Sequence, residues 1–388
     1  MTAESAAIIG AGNTKFGALP EGPRALVGLA VREAIASVDR GLDRSVIGEG
    51  FLATLGFGGW QIGNASAVLA EQAGLVGVPV TRVENACASG GFALRSAVRS
   101  VEEGTSDVVL VVGVEKMTDS PSARRRYWLG VSGDTEWERS AGLTFAGVYG
   151  LIASRYCADH PRAREALSAV AIKNHANGAL NPKAHFRKAI RTEDLAHAPT
   201  IADPLRLYDC CPVSDGAAAL LIARGDIAHR FTDTPVRIRG MGAASDTLAV
   251  QDRPVLTEFG ATRRSARSAF DAAGWTAQRI QLLEVHDCFT IAELLALEDL
   301  GFAPAGGAVP LTLSGDTART GRLPVNPDGG LKSKGHPIGA TGVSQAYEIF
   351  HQLRDSAGPR QVPGAERALS HNVGGSGASA TVTLFERG

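Results

Sequence analysis

The order of apolar and polar positions along the chain predicts alternating strands and helices. Short runs rich in Val, Ile, Leu and Ala carry few polar breaks, which is typical of strands covered on both faces. These runs occupy 6–10, 107–114, 217–223, 236–238, 280–285 and 380–384. Apolar residues recur with helical spacing over 24–38, 91–103, 263–273, 291–300 and 342–354. The alternation predicts an α/β fold.

The order of these elements repeats along the chain. Residues 6–117 and 236–385 are both predicted to run strand, helix, strand, helix, strand, helix, strand, which indicates a duplicated unit. Residues 118–205 break this order with Pro121, an arginine run and several aromatic residues. They predict an inserted, loop-rich subdomain. The apolar run at 217–223 is expected to return to the first sheet.

Composition narrows the class of protein. The 388 residues include 39 basic and 40 acidic side chains, a net charge of −1, which argues against nucleic acid or an anionic membrane as the main partner. Hydrophobic residues make up 44% of the chain, enough for a large core. No apolar run reaches the ~20 residues of a membrane span, and no signal peptide is apparent. We therefore expect a cytoplasmic protein.

The five cysteines predict free thiols. They are scattered, and no Cys-x-x-Cys or His-x3-His pair is present, so neither a disulfide scaffold nor a structural zinc site is expected. Cys210 and Cys211 are adjacent and are expected to be structural. His175 and His185 have no evident partner and are expected to lie on the surface. The run Arg124–Arg126 favours a solvated face over a phosphate-binding site.

A first candidate for chemistry is Cys87 in the segment Asn-Ala-Cys-Ala-Ser-Gly-Gly at 85–91. The segment follows an extended stretch and opens a predicted helix, where the helix dipole favours a thiolate. The small neighbours leave room for an acyl group. The alternative is a small buried hydrophobic residue, a common environment for a free cysteine.

A second candidate is the pair His286 and Cys288 in His-Asp-Cys-Phe, at the end of a predicted strand. Residues two apart on a strand face the same side, so both side chains can point into one pocket. An imidazole can donate to a developing oxyanion, and a thiol can move a proton. The alternative is an ordinary strand end with a surface histidine.

Two glycine-rich segments complete the set. Residues 329–342 contain five glycines around His336-Pro337, which favours a backbone that approaches a ligand closely, with His336 as base or oxyanion donor. Residues 371–378, His-Asn-Val-Gly-Gly-Ser-Gly-Ala, lie between two predicted strands and could aim N–H groups at an oxyanion. A glycine-rich turn and a tight hairpin are the structural alternatives.

Together these segments resemble the thiolase family, in particular the subgroup similar to the thiolase part of sterol carrier protein x. Residues 85–91 resemble the family's nucleophile motif, and residues 329–342 resemble its Gly-His-Pro motif. Residues 207–217, Leu-Tyr-Asp-Cys-Cys-Pro-Val-Ser-Asp-Gly-Ala, also resemble a segment of the subgroup. The resemblance extends over almost the whole chain.

The resemblance implies a fold and a division of the chain. The thiolase fold consists of two βαβαβαββ halves in a five-layered αβαβα arrangement, with a loop domain inserted in the first half. In this chain the N-terminal half would comprise 1–117 and 206–230, the inserted loop domain 118–205, and the C-terminal half 231–388. Family members are usually dimers or tetramers, so a homodimer or a dimer of dimers is implied.

The resemblance also implies an acyl-CoA acyltransferase that cleaves or forms a 3-ketoacyl-CoA. Cys87 would carry the acyl group, His336 would take the thiol proton, and Cys288 would move the proton at the substrate Cα. The implied oxyanion hole consists of the backbone N–H groups of Cys87 and Gly374 with the side chains of His336 and His286. The implied substrate or CoA contacts are Gly335, Ser333 and Gly375.

The implied partners are small molecules. Coenzyme A is a substrate or product, and neither a tightly bound cofactor nor a metal is expected. The pathway implied is lipid metabolism, such as degradation of fatty acids or sterol side chains. Some relatives work with a small OB-fold partner protein, and the sequence leaves such a partner open.

Two departures from the wider family keep alternatives open. Most thiolases carry Asn-Glu-Ala-Phe where this chain has 286–289, and a Cys-x-Gly motif where it has Asn372-Val373-Gly374. Cys288 would supply the missing thiol, as in the sterol-carrier subgroup. The alternatives are a retro-aldol lyase acting on a CoA-linked side chain and a non-catalytic acyl-CoA-binding scaffold. Retention of the two thiols and His336 argues against both.

Overall fold

A computed structural model describes residues 5–388. The strands are β1 (Ala7–Asn13), β2 (Ile47–Ala53), β3 (Val80–Val83), β4 (Val108–Glu115), β5 (Thr200–Ala202), β6 (Leu205–Arg206), β7 (Gly216–Ala223), β8 (Val236–Ser245), β9 (Leu282–Glu284), β10 (Arg367–Gly374) and β11 (Ser379–Arg387). The helices are α1 (Pro23–Ala36), α2 (Ser66–Ala73), α3 (Ser89–Glu102), α4 (Ser122–Gly130), α5 (Phe145–Asp159), α6 (Ala163–Ala179), α7 (Thr192–Ala196), α8 (Gly260–Ala273), α9 (Thr290–Asp299), α10 (Ala308–Leu313), α11 (Gly330–Ser333) and α12 (Thr341–Leu353).

The strand order shows the internal duplication. Nine strands follow one another as β3-β2-β4-β7-β1-β8-β11-β10-β9. Val325 pairs with Leu283 of β9 in parallel and occupies the place that β3 has beside β2. From the outer edge inwards, both halves therefore have the same order and the same strand directions. The two halves meet where β1 and β8 pair antiparallel.

The helices form three layers around these strands. α1 packs on β1, β4 and β7 of the first half, and α8 packs on β8 and β11 of the second. α3 and α12 contact each other and strands of both halves, so they form the middle layer. Separate apolar clusters fill the spaces between layers. The five-layered α/β arrangement is confirmed.

Burial explains the nearly continuous apolar strands. All eight residues of β4 and all eight of β7 are buried, because helices cover both faces. The strand expected at 280–285 is shorter, since a turn occupies Ala277–Arg279 and Val285 already donates its N–H to the Asn326 side chain. Within residues 5–388, no helix has both the length and the apolar character needed to cross a membrane.

The inserted segment contains four helices joined by long connections, and the expectation of an inserted loop domain stays a prediction. α4, α5, α6 and α7 all lie within 118–205. Val148, Ile152 and Tyr156 are four residues apart on α5 and are buried in the core of the second half. This apolar face stabilises the helix through tertiary packing despite the polar composition of the segment.

Candidate active site

Cys87 lies in a tight turn between β3 and α3. Ala86 adopts a left-handed backbone conformation, with φ of 48°. The Ser89 hydroxyl donates to the Ala86 carbonyl at 2.6 Å and accepts from the Asn85 N–H at 2.9 Å, which fixes the turn. The Cys87 side chain is therefore held just ahead of the first turn of α3, with 9% of the residue exposed.

The N-termini of α3 and α12 approach each other so closely that only glycine fits between them. A Cβ on Gly90 would lie 2.8 Å from the Val343 nitrogen, and a Cβ on Gly342 would lie 2.4 Å from the Gly91 nitrogen. These helices occupy equivalent positions in the two halves. Their contact brings the Cys87 turn and the His336 loop to one place.

His336 precedes α12 and is fixed by two polar side chains. Its backbone N–H donates to the Ser214 hydroxyl at 3.2 Å, and its Nδ1 lies 2.7 Å from the Thr341 hydroxyl. The Thr341 hydroxyl also lies 3.0 Å from the Pro337 carbonyl. It can therefore accept from Nδ1–H while it donates to that carbonyl, an arrangement that leaves Nε2 of His336 with a free lone pair.

Cys87, His286 and His336 converge on one point. One nitrogen of each imidazole and the Cys87 sulfur all lie within 4.8 Å of one another. The two imidazole rings stand nearly perpendicular, at 85°, with centroids 5.1 Å apart. A thiol and two imidazoles can transfer a proton and donate to an oxyanion; the same donor types also suit Zn²⁺.

His286 is held by Asn372. The Asn372 Nδ2 lies 3.2 Å from Nδ1 of His286, and it also donates to the Cys87 carbonyl at 2.8 Å. The other nitrogen of His286, Nε2, is buried without a partner in the described part of the chain. Such an orphaned buried group is costly unless a ligand engages it.

Cys288 is buried beside Tyr149 of α5. The Tyr149 hydroxyl donates to the Gly375 carbonyl at 3.3 Å, and its hydrogen bond with the Cys288 sulfur lowers the pKa of that thiol in part. The Tyr149 ring stacks on Phe289, with centroids 4.5 Å apart. The inserted segment thus contributes a side chain to the predicted site.

Burial sets the charge of the resting groups. Desolvation raises the pKa of Cys87 to about 12, although a hydrogen bond from the Gly375 N–H lowers it in part. Desolvation also lowers the pKa of His336 to about 3 and the pKa of His286 well below its usual value. Burial therefore opposes the thiolate that the N-terminus of α3 is expected to favour at Cys87.

The two cysteines open onto one cavity of about 660 Å³. His336 and Gly375 line the same cavity. Apolar residues line much of the wall: Met117, Leu129, Leu143, Phe145, Val213, Phe289 and Ile338. Arg126 and Arg139, from the inserted segment, also line it. Its size and mixed lining are typical of a site for an apolar ligand with a charged end.

Comparison with known proteins places the chain in a family. The family model "Thiolase, N-terminal domain" matches residues 6–226, and "Thiolase C-terminal domain-like" matches residues 242–387. The chain belongs to the thiolase family. The match confirms the resemblance drawn from the motifs, and the resemblance to the sterol carrier subgroup is confirmed by the relatives below.

Two curated relatives support acyltransferase activity and the subgroup. The chain is 43% identical to "Acetyl-CoA acetyltransferase" of Methanothermobacter thermautotrophicus, over 98% of this chain and 99% of the relative. It is 32% identical to human "Sterol carrier protein 2", over 81% of this chain and 60% of that protein. This thiolase-family chain is therefore an acyltransferase.

Solved structures share the fold. A structure described as "Ltp2-ChsH2(DUF35) aldolase" superposes with a TM-score of 0.85 at 23% identity, over 99% of this chain and 98% of the other. Human mitochondrial 3-ketoacyl-CoA thiolase superposes with a TM-score of 0.74 at 17% identity, over the same shares. At these identities the likeness concerns the thiolase fold alone.

Four predicted site residues are absent from the cavity lining. One of them, His286, is only 1% exposed, but one of its ring nitrogens lies within 4.8 Å of the Cys87 sulfur. Ser333 is fully buried and donates to the Phe186 carbonyl at 2.8 Å, and Gly335 packs against the Ser214 side chain. Gly374 ends β10 against the Asn85 carbonyl, whereas the next residue, Gly375, lines the cavity. The roles assigned to Ser333, Gly335 and Gly374 stay predictions.

Several residues differ from their sequence-based interpretation. Cys210 and Cys211, expected to be structural, line the cavity, and the Cys211 N–H donates to the Cys288 carbonyl at 3.0 Å. His175, expected on the surface, is buried between Phe186 and Tyr208. The expectation for His185 was also wrong, since its Nδ1 lies 2.9 Å from the Ser214 hydroxyl and the residue is partly buried.

The arginine run divides between two environments. Arg124 stacks over the Trp60 ring at 4.2 Å and donates to the Gly59 carbonyl at 2.9 Å. Arg126 is exposed and borders the cavity, so the preferred interpretation of the run as a solvated face holds for only part of it. Sequence spacing could not show this, because adjacent helix residues point in different directions.

A buried carboxylate links the two loops of the site. Asp287, between His286 and Cys288, accepts from the Leu331 N–H and from the Asn174 amide, both at 2.7 Å. Desolvation raises the pKa of Asp287 to about 7. Because Leu331 lies in α11, just before the His336 loop, Asp287 fixes the relative position of the two histidines.

Proposed function

We propose that the chain catalyses the reversible thiolytic cleavage or Claisen condensation of a 3-ketoacyl-CoA through an acyl-enzyme on Cys87. The observation that carries the proposal is the convergence of the Cys87 sulfur with one nitrogen each of His286 and His336, within 4.8 Å of one another. A second thiol, Cys288, faces the same cavity. These side chains are of the types that the proposed reaction needs as nucleophile, base, acid and oxyanion donor.

In the first half-reaction His336 acts as the base. Its Nδ1 is engaged by Thr341, so Nε2 is available to take the Cys87 proton as the sulfur attacks the thioester carbon. Because the resting thiol is neutral, proton removal and attack are coupled. Backbone N–H groups of Cys87 and Gly374 would hold the tetrahedral oxyanion, and Gly375, whose N–H points at the sulfur, supports that end of the site.

In the second half-reaction Cys288 acts at carbon. In condensation it removes a Cα proton from a second acyl-CoA, and the carbanion attacks the acyl group on Cys87. In cleavage it protonates the leaving carbanion, and CoA then releases the acyl group. His286 donates to the enolate oxygen, and His336 does so from Nε2 once that nitrogen has taken the Cys87 proton. The hydrogen bond with Tyr149 stabilises the thiolate of Cys288 during these steps.

The cavity accounts for an acyl-CoA as substrate. Apolar residues near the thiols accommodate the acyl group, and Arg126 and Arg139 suit the phosphates of CoA. A volume of about 660 Å³ leaves room for acyl groups longer than acetyl. We therefore propose coenzyme A as a substrate or product. We also propose that the acyl group comes from a fatty acid or a sterol side chain.

The proposed assembly is a homodimer or a dimer of dimers in the cytoplasm. β3 lies at an edge of the nine-stranded order, where its outer backbone groups can pair with a second copy. Ile62, which is more than half exposed and whose carbonyl accepts from Arg82 of β3, flanks this edge. The proposed division of the chain is an N-terminal half of 1–117 and 206–230, an inserted loop domain of 118–205 and a C-terminal half of 231–388.

Light scattering measures the mass of the assembly and so tests the proposed oligomer. A small OB-fold partner would appear as a second chain that co-purifies with this one.

The decisive experiment is Cys87→Ser with intact mass spectrometry. Wild-type protein incubated with acetyl-CoA gains one acetyl group, and Cys87→Ser does not. Cys157→Ser is a matched control, because Cys157 is a partly buried thiol of α5 outside the cavity lining. Equal labelling of Cys87→Ser and wild type would reject the nucleophile assignment.

A panel of 3-ketoacyl-CoA esters of graded size, with and without free CoA, tests the reaction class. Thiolytic cleavage needs free CoA and yields two thioesters. The rival deserves the test because one solved structure of similar fold is described as an aldolase. A retro-aldol lyase would release an aldehyde or ketone without free CoA. A scaffold would bind these esters and turn over none.

A further inference from the structure

Asn372 makes three buried hydrogen bonds at the centre of the site. Its Oδ1 accepts from the Gly91 N–H at 3.1 Å, and its Nδ2 donates to the Cys87 carbonyl at 2.8 Å. The same Nδ2 lies 3.2 Å from Nδ1 of His286. Only 2% of Asn372 is exposed. One amide therefore joins the first turn of α3 to the imidazole of His286.

The orientation of this amide is fixed by its backbone partners. The Gly91 N–H can only donate, so the atom facing it must be the amide oxygen. The Cys87 carbonyl can only accept, so the atom facing it must be the amide nitrogen. A flipped amide would lose both bonds in a buried place. The second hydrogen of Nδ2 is then directed at His286.

The orientation of Asn372 decides the tautomer of His286. A neutral imidazole carries its proton on one nitrogen, and Nδ1 must accept from Asn372. The proton therefore sits on Nε2, the nitrogen that is buried without a partner in the described chain. We propose that Asn372 is a positioning residue that holds His286 as the Nε2–H tautomer, so that Nε2–H donates to the substrate oxygen. The catalytic use of this donor rests on the proposed function.

Asn372 can select one tautomer of His286 only if the imidazole of His286 is neutral. Burial lowers the pKa of His286 well below its usual range, and neighbouring His336 and His371 add to this shift. Asp287 is adjacent in sequence, but its carboxylate accepts from Leu331 and Asn174. Asn372 therefore supplies the contact that sets the protonated nitrogen.

Asn372 lies at a position where the sequence departs from most thiolases. Asn372 stands where the resemblance to most thiolases expects the cysteine of a Cys-x-Gly motif. In this chain the thiol is on Cys288, next but one to His286, and the vacated position carries an amide that orients the same histidine. The replacements at His286 and Asn372 therefore act together. His286 can donate from Nε2 only if its Nδ1 accepts a hydrogen bond, and Asn372 donates that bond.

The variant Asn372→Asp tests the tautomer directly. Its carboxylate can still accept from the Gly91 N–H, but it accepts from His286 instead of donating, which moves the imidazole proton to Nδ1. In ¹⁵N-histidine-labelled protein, two-bond ¹H–¹⁵N spectra distinguish protonated from unprotonated ring nitrogens. His286→Gln identifies the His286 signals among the nine histidines. We expect Nε2–H in wild type and protonated Nδ1 in Asn372→Asp.

Asn181→Asp is the matched control. Asn181 is also buried, its oxygen accepts from the Lys183 N–H at 3.0 Å and its nitrogen donates to the Asp328 carbonyl at 2.9 Å. It has the same backbone bonds as Asn372 but no histidine contact. Asn181→Asp therefore places a carboxylate in a similar setting and should leave the His286 signals unchanged.

Kinetics separate this role from simple support of the Cys87 turn. Loss of one oxyanion donor lowers kcat by about 100-fold, so Asn372→Asp should lower kcat to this extent with little change in KM. Glutamine has no tautomers, so in the His286→Gln background the further effect of Asn372→Asp should be about tenfold or less. An equal loss in both backgrounds would show a purely structural role and overturn the inference.

The spectra test the tautomer of His286, and the activity assays test the proposed function, so the two claims can be rejected independently. A wild-type spectrum with the proton on Nδ1 of His286 rejects the tautomer assignment, whether or not the protein acts on 3-ketoacyl-CoA. A wild-type enzyme that shows the Nε2–H signal but does not act on 3-ketoacyl-CoA rejects the proposed function and leaves the positioning of His286 by Asn372 in place.

Discussion

The phenol of Tyr149 is hydrogen-bonded with the sulfur of Cys288 and donates its own proton to the Gly375 carbonyl. Tyr149 comes from the inserted segment and Cys288 from the second half, so this contact joins two parts of the chain at the second thiol. Burial raises the pKa of Cys288, and the Tyr149 hydrogen bond opposes that rise. Tyr149 is thus expected to stabilise the thiolate form of Cys288 more than its neutral thiol form.

Tyr149→Phe is expected to slow the carbon chemistry selectively. A hydrogen bond to a charged group contributes about 1.5–3 kcal/mol, so turnover should fall by about 10- to 100-fold. The phenyl ring can keep the stack on Phe289, so the fold should be retained. Acylation of Cys87 by acetyl-CoA, followed by mass spectrometry, should stay near wild type. A matching loss in acylation and turnover would contradict a role limited to Cys288.

Cys288→Ala should separate the two half-reactions. Without its thiol no group removes or supplies the Cα proton, so turnover should fall by at least about 100-fold. The acyl-enzyme should still form on Cys87 and remain detectable by intact mass. Cys210→Ala provides a control thiol on the same cavity wall. Normal turnover of Cys288→Ala would remove Cys288 from the mechanism.

The resting charge of Cys87 predicts a steep pH dependence of alkylation. Its pKa is raised to about 12 and that of His336 is lowered to about 3, so both groups are neutral at pH 7. Iodoacetamide reacts with the thiolate, whose fraction rises about tenfold per pH unit below the pKa. Quantifying the modified Cys87 peptide from pH 6 to 10 should show a continuous rise. A plateau near pH 7 would instead indicate a thiolate–imidazolium pair.

Arg126→Ala should weaken CoA binding without changing the chemistry. Arg126 borders the cavity and is proposed to contact the phosphates of CoA, so we expect KM for CoA to rise about 10-fold at constant kcat. Arg124→Ala is the control, because Arg124 stacks on Trp60 and is absent from the cavity lining. Equal KM changes in both variants would point to a general effect of helix α4.

The sequence was most informative where burial on both sides imposes a pattern. The nearly continuous apolar runs at β4 and β7 predicted covered strands, and repetition of strand and helix predicted the two similar halves. The glycine-rich motifs predicted the Cys87 turn and the His336 loop, because the close approach of α3 and α12 tolerates only small residues.

Contacts between segments that are far apart in the sequence could not be predicted from it. Tyr149 lies 139 positions from Cys288 (288 − 149), within a segment whose mixed composition suggested loops. Asn372 appeared only as the residue that replaces an expected cysteine, and its bonds to Cys87 and His286 depend on how the two halves dock. Cys210 and Cys211 looked structural because nothing in their spacing indicates that the chain returns beside Cys288.

The repeated strand order has an evolutionary consequence. Cys87 and His336 precede equivalent helices, one in each repeat, so an ancestor with two identical repeats would have presented the same side chain twice at this junction. A pair that consists of one thiol and one imidazole could arise only after the copies diverged. The proposed reactivity therefore depends on asymmetry between once-equal halves, and neither repeat in isolation would contain the pair.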